Sequence, residues 1–234
     1  MVIYETLWAN ALAAFQRGEP ELDPHLPDKR QDLRRGISLA LRLNPDVQSR
    51  IQAWLAEIAP LCPGQYFYPP AEMHITLLSF ISASTEWRRE MPWFAVGRAL
   101  LPDILRSQPS WEIQFRGITA SPAGILIQGF PADDTMNQLR DQLRAAFTRA
   151  GLGQHLDRRY KISSAHITVL RFCHRQIDWA QLLPKLQASR EIDFGRLRVD
   201  RLQLLWGDWY ATTGIVRKLQ EFPLQPVATI QPKT

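Results

Sequence analysis

The sequence predicts an α+β protein built from a duplicated α/β unit, with one cleft shared by the two copies. Two observations lead to this fold class. The tetrapeptide HITL of residues 74–77 recurs as HITV at residues 166–169, and both copies lie in β-branched, apolar sequence typical of a buried strand. The order strand, helix, H-x-T strand also occurs twice, opening at Ile37 and at Ile125. We therefore expect a pseudo-twofold axis between the copies.

The first half of the chain contains the first copy of this unit. Apolar spacing predicts an N-terminal helix over residues 2–17, and a proline-broken loop follows it. Asn44 is expected to cap the helix of the unit, with Pro45 in the first helical position. Thr85 is expected to cap a further helix. The predicted strands of this half span residues 37–43, 66–68 and 73–81.

The second half repeats the order. Asp133 or Asp134 is expected to cap a helix that ends at Gly151, and Asp178 starts a shorter helix. Between them lies a polar loop over residues 151–161, which leads into the second H-x-T strand. The predicted strands of this half span residues 112–118, 125–130, 197–206 and 214–219.

The repeated motif places one imidazole and one hydroxyl side by side on each strand. Side chains two apart on a strand point to the same face, whereas the isoleucine between them points to the other. A titratable proton carrier beside a neutral hydrogen-bond donor suits a phosphate group. In the alternative interpretation both motifs are core strands whose histidines are satisfied by neighbours. That alternative must explain why polar residues occupy inward-facing positions of two otherwise apolar strands.

The two motifs resemble the signature of the two-histidine phosphoesterase superfamily, which includes 2'-5' RNA ligase-like proteins and cyclic nucleotide phosphodiesterases. The segment YFYPPAEMH at residues 66–74 looks like the family's approach to its first histidine, and Arg171 matches an arginine often found after the second motif. Two positions depart from the pattern: Ala165 replaces a usual proline, and Ser79 stands where a glycine-bearing turn is common. These departures bear on substrate more than on chemistry.

The resemblance covers roughly residues 33–225 and implies a bilobal domain. Two mainly antiparallel sheets would surround a central cleft, with helices outside. Residues 1–32 would then form an N-terminal helix and proline-rich extension, and residues 226–234 a C-terminal tail.

The resemblance and the motif chemistry together predict a metal-independent phosphodiesterase. It would hydrolyse a 2',3'-cyclic phosphate or a 2'-5' linkage of a nucleotide or RNA. His74 and His166 would serve as general acid and base, and Thr76 and Thr168 would hold the phosphoryl oxygens. Such a site needs no metal or other cofactor, and the sequence has neither zinc-ligand spacing nor a P-loop.

Three further residues are expected to bind substrate. Arg171 would contact the phosphate, although strict alternation places it on the face opposite His166 unless a bulge turns it inward. Tyr68 and Tyr210 are candidates to stack on a base, with Tyr210 preferred over Trp209 and Trp206.

A nucleotide- or RNA-binding module without turnover is the alternative function. It is motivated by basic residues near the motifs, namely Arg34, Arg35, Arg158, Arg159 and Lys161. Tight, salt-sensitive binding of nucleotide without product formation would favour it.

Composition sets the remaining expectations. The 234 residues are 45% hydrophobic and 22% charged, which is ordinary for a globular domain. Two cysteines give no disulfide framework, and the net charge of +5 mildly favours anionic partners. No apolar run reaches the length of a membrane span, and the N-terminus lacks signal-peptide features. We expect a cytoplasmic monomer without membrane contact.

Overall fold

The computed structural model describes residues 2–85, 92–156 and 161–226, and it confirms the α+β class. None of the helices in these ranges is both long and apolar enough to cross a bilayer. The elements are α1 Val2–Gln16, β1 Arg35–Arg42, α2 Pro45–Ile58, β2 Tyr66–Phe67, β3 His74–Ser84, α3 Pro92–Leu105, β4 Trp111–Ser121, β5 Gly124–Pro131, α4 Thr135–Arg149, β6 Ile167–Arg171, α5 Trp179–Ala188, β7 Asp193–Val199, β8 Arg201–Gly207 and β9 Arg217–Pro223.

Two antiparallel sheets form the body of the protein. The four-stranded sheet has the order β3-β1-β8-β9, and the five-stranded sheet has the order β2-β6-β5-β4-β7. Each H-x-T strand pairs with the strand that opens its own unit, so β3 pairs with β1 and β6 with β5. The predicted duplication is therefore visible in the pairing.

Both H-x-T strands carry a bulge at the same position. In the first sheet Leu39 opposes Leu78 but Ala40 opposes Thr76, so the residue between, Leu77, has no partner. In the second sheet Ile125 opposes Leu170 and Leu126 opposes Thr168, which leaves Val169 unopposed. A bulged residue changes the alternation of side chains beyond it. The residue five positions after each histidine consequently returns to the histidine's face.

The helix ends follow the predicted capping chemistry closely. Asn44 and Asp178 each accept a hydrogen bond from the backbone N–H three residues on, at 3.0 and 3.1 Å. Asp134 is the N-cap of α4, but its carboxylate accepts from the side-chain amide of Asn137, and the backbone N–H of Thr135 donates to Asp133 instead. The predicted start of a helix after Thr85 lies outside the described residues.

One predicted strand proved to be two. Residues 197–206 divide at Asp200 into the end of β7 and most of β8, and these strands belong to different sheets. The buried residues change phase at this point, from Leu197 and Val199 to Leu202 and Leu204. A strand cannot keep both sets on one face, so the chain turns into the other sheet. The last strand also lies later than predicted, in β9.

The N-terminal helix packs into the same core as the sheets. Its buried face lies against β4 and α5, and Phe15 stacks on Trp179 with ring centroids 4.7 Å apart. Tyr4, Ala11 and Ala14 are also buried. The extension predicted for residues 1–32 thus contributes a helix to the body of the domain.

Tyr4 ties α1 to the chain just before the second motif. Its hydroxyl donates to the carbonyl of Gly129 at 2.9 Å and accepts from the N–H of Ala165 at 3.1 Å. The backbones approach so closely here that a Cβ on Gly129 would lie 2.0 Å from the carbonyl oxygen of Ala165. Tyr4 therefore fixes the position from which His166 projects.

We expect Tyr4→Phe to lower the free energy of unfolding by about 1–3 kcal/mol, because buried backbone groups would lose their hydrogen-bond partner. Urea denaturation measures the change. Thr6→Val is the matched control, since its hydroxyl bonds only to Val2 on the exposed side of α1. That control should stay within about 0.5 kcal/mol of the parent. Equal effects of the two substitutions would contradict the anchoring role of Tyr4.

Candidate active site

One cleft brings together the polar side chains of both H-x-T motifs. His74 and Thr76 line it from β3, and His166 and Thr168 line it from β6 and the residue before that strand. All four side chains are half-buried, whereas the isoleucines between them are fully buried. The strand alternation predicted from sequence therefore holds in both copies.

The protein holds each imidazole by its Nδ1 atom. Nδ1 of His74 lies 2.7 Å from the carbonyl oxygen of Glu72, which can only accept, so this nitrogen carries the hydrogen. Nδ1 of His166 lies 2.7 Å from the hydroxyl of Ser164, which can donate or accept. With Nδ1 occupied in both rings, Nε2 is the nitrogen through which each ring can meet a ligand.

Both imidazoles are held neutral. Loss of hydration lowers the pKa of His74 from its ordinary value near 6.5 to about 4, and the charges of Arg42 and Arg171 act in the same direction. The pKa of His166 is also lowered to about 4, first by burial, then by repulsion from His74 and Arg140. A cleft with this electrostatic character favours an anion over a proton.

The core-strand alternative explains only part of this arrangement. Neighbours do satisfy Nδ1 of both rings, as that alternative requires. The hydroxyls of Thr76 and Thr168, however, line an open cleft together with the two rings. Four polar groups thus line one space, which the core-strand alternative does not explain.

Arg171 reaches the cleft because of the bulge at Val169. Its side chain lines the cleft, and its Nε donates to the hydroxyl of Tyr68 at 3.0 Å. The position that corresponds to it in the first copy is Ser79, which also lines the cleft. The cleft thus receives an arginine from one copy and a hydroxyl from the other.

The predicted stacking residues have other roles. Tyr68 is almost completely buried and orients Arg171. Tyr210 is fully buried, and its hydroxyl donates to Asp23 at 2.8 Å, so the preference for it as a stacking surface was wrong. Its neighbour Trp209 lines the cleft instead, with the guanidinium of Arg171 5.8 Å from the ring centroid. Residues 209 and 210 lie in a turn after β8, and residue 209 is the one that faces the cleft.

Basic side chains at the start of β1 and in the segment before it are bound internally. Arg34 makes two hydrogen bonds to the buried carboxylate of Asp32, at 2.8 and 2.7 Å. Arg35 bonds to the carbonyls of Asp32 and Arg34. Lys29 donates to the hydroxyl of Tyr66. Arg158 and Arg159 lie outside the described residues, and Lys161 is exposed.

Sequence reasoning missed Glu72, which connects several segments beneath His74. Its buried carboxylate accepts from the hydroxyl of Tyr66 and from the N–H of Thr213 at 2.8 Å, and lies 3.4 Å from Lys29. Its own carbonyl orients the ring of His74. The sequence signal that could have identified Glu72 was its position two residues before His74.

Sequence reasoning also missed Arg140, which joins the two motifs from α4. Its side chain is 1% exposed. Its Nε donates to the carbonyl of Leu77 at 2.8 Å, and Nη2 donates to that of Ser164 at 2.7 Å and to that of Thr76 at 3.3 Å. An arginine within the apolar stripe of an amphipathic helix was the available signal.

The described residues contain no cluster of three or more His, Cys, Asp or Glu side chains that could hold a metal ion. Cys62 and Cys173 are both free thiols. The cleft itself offers imidazole nitrogens, hydroxyls, a guanidinium and the carboxylate of Asp208. The hydroxyls and the guanidinium suit a phosphate oxyanion.

Comparisons with known proteins agree with this geometry. The family model of the 2'-5' RNA ligase superfamily matches residues 40–209. The crystal structure of TT0787 of Thermus thermophilus is 19% identical, with a TM-score of 0.60 over 82% of this chain and 98% of that one. A comparison with curated proteins gives no match.

LigT of E. coli is also similar in fold. Its complex with 3'-AMP is 18% identical with a TM-score of 0.53, and its complex with ATP is 16% identical with a TM-score of 0.54. In each case the match covers 82% of this chain and 99% of LigT. At these identities the likeness establishes the fold.

We expect the buried imidazoles to make the protein less stable in acid. Between about pH 6.5 and 4 these histidines are protonated in the unfolded chain but stay neutral in the folded protein. The free energy of unfolding therefore falls as the pH falls. Each ring accounts for on the order of 3 kcal/mol. In His166→Gln the free energy of unfolding should therefore fall less steeply over this pH range, as measured by denaturant titrations. His25→Gln, in an exposed loop, is the control and should follow the parent; an unchanged slope for His166→Gln would contradict the expectation.

We expect Arg140→Gln to raise the pKa of His166, because a cation that repels the proton is removed. NMR titration of the ring protons measures this directly. Arg140→Lys is the matched variant, since it keeps the charge but loses the forked bonds to two strands. In Arg140→Lys the pKa of His166 should stay at about 4. A similar rise in both variants would show that the shift comes from lost packing and not from charge.

Proposed function

The chain belongs to the 2'-5' RNA ligase superfamily, and on this basis we propose that it is a metal-independent phosphodiesterase that works by two-histidine acid–base catalysis. Its substrates would carry a 2',3'-cyclic phosphate or a 2'-5' linkage, in a nucleotide or at an RNA end. The observation that carries the proposal is the cleft itself. It holds two imidazoles with their Nε2 atoms available and two threonine hydroxyls, on strands with matching bulges.

Hydrolysis needs one proton removed and one supplied. Nε2 of one neutral ring takes a proton from water as the water oxygen bonds to phosphorus. The other ring, protonated at Nε2, gives its proton to the departing ribose oxygen as the P–O bond breaks. Thr76, Thr168 and Arg171 donate to the phosphoryl oxygens, where negative charge grows in the transition state.

The substrate supplies the charge that one ring needs in order to be protonated. Without ligand both pKa values are about 4, so little imidazolium is present near neutrality. A bound phosphate lies beside the rings and raises the pKa of a facing imidazole. We therefore expect kcat, which reflects the substrate-bound protein, to persist to higher pH than kcat/KM, which reflects the free protein.

Nucleotide recognition is supported by two observations. LigT, which shares the fold, was solved with 3'-AMP and with ATP. In this chain Trp209 offers an aromatic surface in the same cleft as the phosphate-binding residues. Base stacking on an aromatic ring is tolerant of sequence, so we propose contact with the base without strong selectivity.

A nucleotide-binding module without turnover is the second candidate. The observation that favours it is the neutral state of both rings, which leaves the unliganded protein without a ready proton donor. Binding alone needs only the hydroxyls and Arg171. Product formation from a bound nucleotide distinguishes the phosphodiesterase from the binding module.

We expect the parent protein to hydrolyse members of a panel of 2',3'-cyclic nucleotides and 2'-5' dinucleotides, with EDTA having no effect. His74→Gln and His166→Gln should each lower kcat by about 10²–10⁴-fold, since each removes one proton-transfer group. Thr76→Val and Thr168→Val should each lower it by about 10²–10³-fold through loss of a donor to the transition state. Chromatography of the products measures rate and regiochemistry.

His25→Gln serves as the control and should retain full activity. Activity retained by either cleft-histidine variant would exclude the two-histidine mechanism. Salt-sensitive nucleotide binding by the parent, with no product after long incubation, would establish the binding module instead.

A further inference from the structure

The two cleft imidazoles differ in the kind of atom that their Nδ1 atoms contact. The partner of Nδ1 is the backbone carbonyl oxygen of Glu72 in His74, and the hydroxyl oxygen of Ser164 in His166. A carbonyl oxygen has no hydrogen to donate, whereas a hydroxyl has one. In a neutral imidazole, the hydrogen bond made by one ring nitrogen decides which of the two nitrogens carries the hydrogen. The two rings are therefore open to different tautomers.

The hydroxyl of Ser164 has a single hydrogen-bond partner among the described residues, and that partner is Nδ1 of His166. Ser164 is only 8% exposed. If Nδ1 carried the hydrogen of the ring, the hydroxyl would accept it, and the hydroxyl's own hydrogen would be buried without an acceptor, which is unfavourable. If the hydroxyl donates to Nδ1, its hydrogen is satisfied. The hydrogen of the neutral His166 ring then lies on Nε2.

The neutral ring is the form of His166 that the free protein holds near neutrality. Burial lowers the pKa of His166, and repulsion from the ring of His74 lowers it further. The cations Arg140 and Arg171 act in the same direction. Arg140 also fixes the serine, because its Nη2 donates to the carbonyl of Ser164 at 2.7 Å. The tautomer that Ser164 selects is consequently the state in which the ring meets a substrate.

We propose that Ser164 is a positioning residue that keeps the hydrogen of neutral His166 on Nε2, so that His166 faces the substrate as a donor and His74 faces it as an acceptor. This inference rests on the proposed function and narrows it by assigning the two proton-transfer roles. A neutral ring with its hydrogen on Nε2 cannot take a proton from water at that atom. The base is therefore His74, whose Nε2 holds a lone pair because its hydrogen lies on Nδ1.

The acid is then His166, and Ser164 serves both of its protonation states. When a phosphate is bound, the ring takes a second proton from solvent at Nδ1, and the hydroxyl turns to accept from the new Nδ1–H. The charged ring gives its Nε2 proton to the departing ribose oxygen as the P–O bond breaks. His74 takes one proton from the attacking water and returns it to solvent, so the protons balance over one turnover.

Nitrogen NMR of the isotope-labelled parent tests the tautomers without any substrate. Couplings to the carbon-bound ring protons distinguish Nδ1 from Nε2, and His74→Gln and His166→Gln assign the signals. Near neutrality we expect the ring hydrogen on Nδ1 in His74 and on Nε2 in His166. A hydrogen on Nδ1 of His166 would overturn the proposal, whether or not the protein turns over a substrate.

Two substrates with different leaving groups test the assigned roles. A 2'-5' dinucleotide releases a ribose oxygen that needs a proton. In the matching p-nitrophenyl diester, p-nitrophenol replaces the departing nucleoside and leaves as a stable anion. His166→Gln should lower kcat/KM by about 10²–10⁴-fold for the dinucleotide but by at most about 10-fold for the aryl diester. His74→Gln should lower it by about 10²–10⁴-fold for both, because both reactions need an activated water.

Ser164→Ala should show the same dependence on leaving group as His166→Gln. We expect a fall of about 10-fold for the dinucleotide, as for the loss of one hydrogen bond, and a rate close to that of the parent for the aryl diester. Ser164→Thr keeps the hydroxyl and should restore the dinucleotide rate. Ser189→Ala is the matched control, because it removes a buried serine hydroxyl that bonds to Trp54 and to the carbonyl of Lys185, outside the cleft. It should leave the ratio of the two rates unchanged.

Three outcomes would contradict the proposal or separate it from the proposed function. Equal losses for both substrates in Ser164→Ala would show that Ser164 only supports packing. Rescue of His74→Gln, and not of His166→Gln, by the aryl diester would make His74 the acid and overturn the assignment of roles. If the parent turns over neither substrate, the proposed function fails, and the tautomers seen by NMR decide the role of Ser164 separately.

Discussion

The geometry of the cleft depends on one buried guanidinium. Arg140 reaches from α4 to carbonyl oxygens of both motif segments, so a single rigid group sets how far apart the two H-x-T strands lie. The carbonyl of Leu77 belongs to the bulged residue of β3, which has no partner on β1, and the carbonyl of Ser164 lies ahead of β6. The bulges of β3 and β6 return Arg171 and Ser79 to the cleft. The buried arginine thus sets the position of the site, and the paired bulges set which side chains enter it.

The buried arginine has an electrostatic consequence as well. A cation fixed behind the motifs opposes protonation of His166, and Arg171 does the same from within the cleft. The protein therefore keeps two neutral imidazoles in a region of positive potential. A ligand that brings negative charge would raise the proton affinity of a facing ring. Under the proposed function, substrate binding and formation of the acid would therefore be one event, and the free protein would avoid an uncompensated buried charge.

Much of the fold could be predicted from the sequence because its determinants are local. The H-x-T repeat and the helix cap at Asn44 depend on side chains within a few residues of the feature. Register depends on the partner strand, so the bulge at Val169, which decides where Arg171 points, has no signature in its own segment. The wrong and missed assignments in the site share this non-local origin. Only the path of the loop after β8 buries Tyr210, and Arg140 acts through backbone groups of distant strands.

The duplicated unit is symmetric where it would handle phosphate and asymmetric elsewhere. Each copy gives one imidazole, one threonine and one bulge, which suits a group whose oxygens are equivalent. The nucleoside attached to that phosphate has no such symmetry. Accordingly the second copy has Arg171 where the first has Ser79, and the loop after β8 adds Asp208 and Trp209 to the lining of the cleft. Under the proposed function, the repeated residues would carry the chemistry, and the residues that one copy lacks would select the substrate.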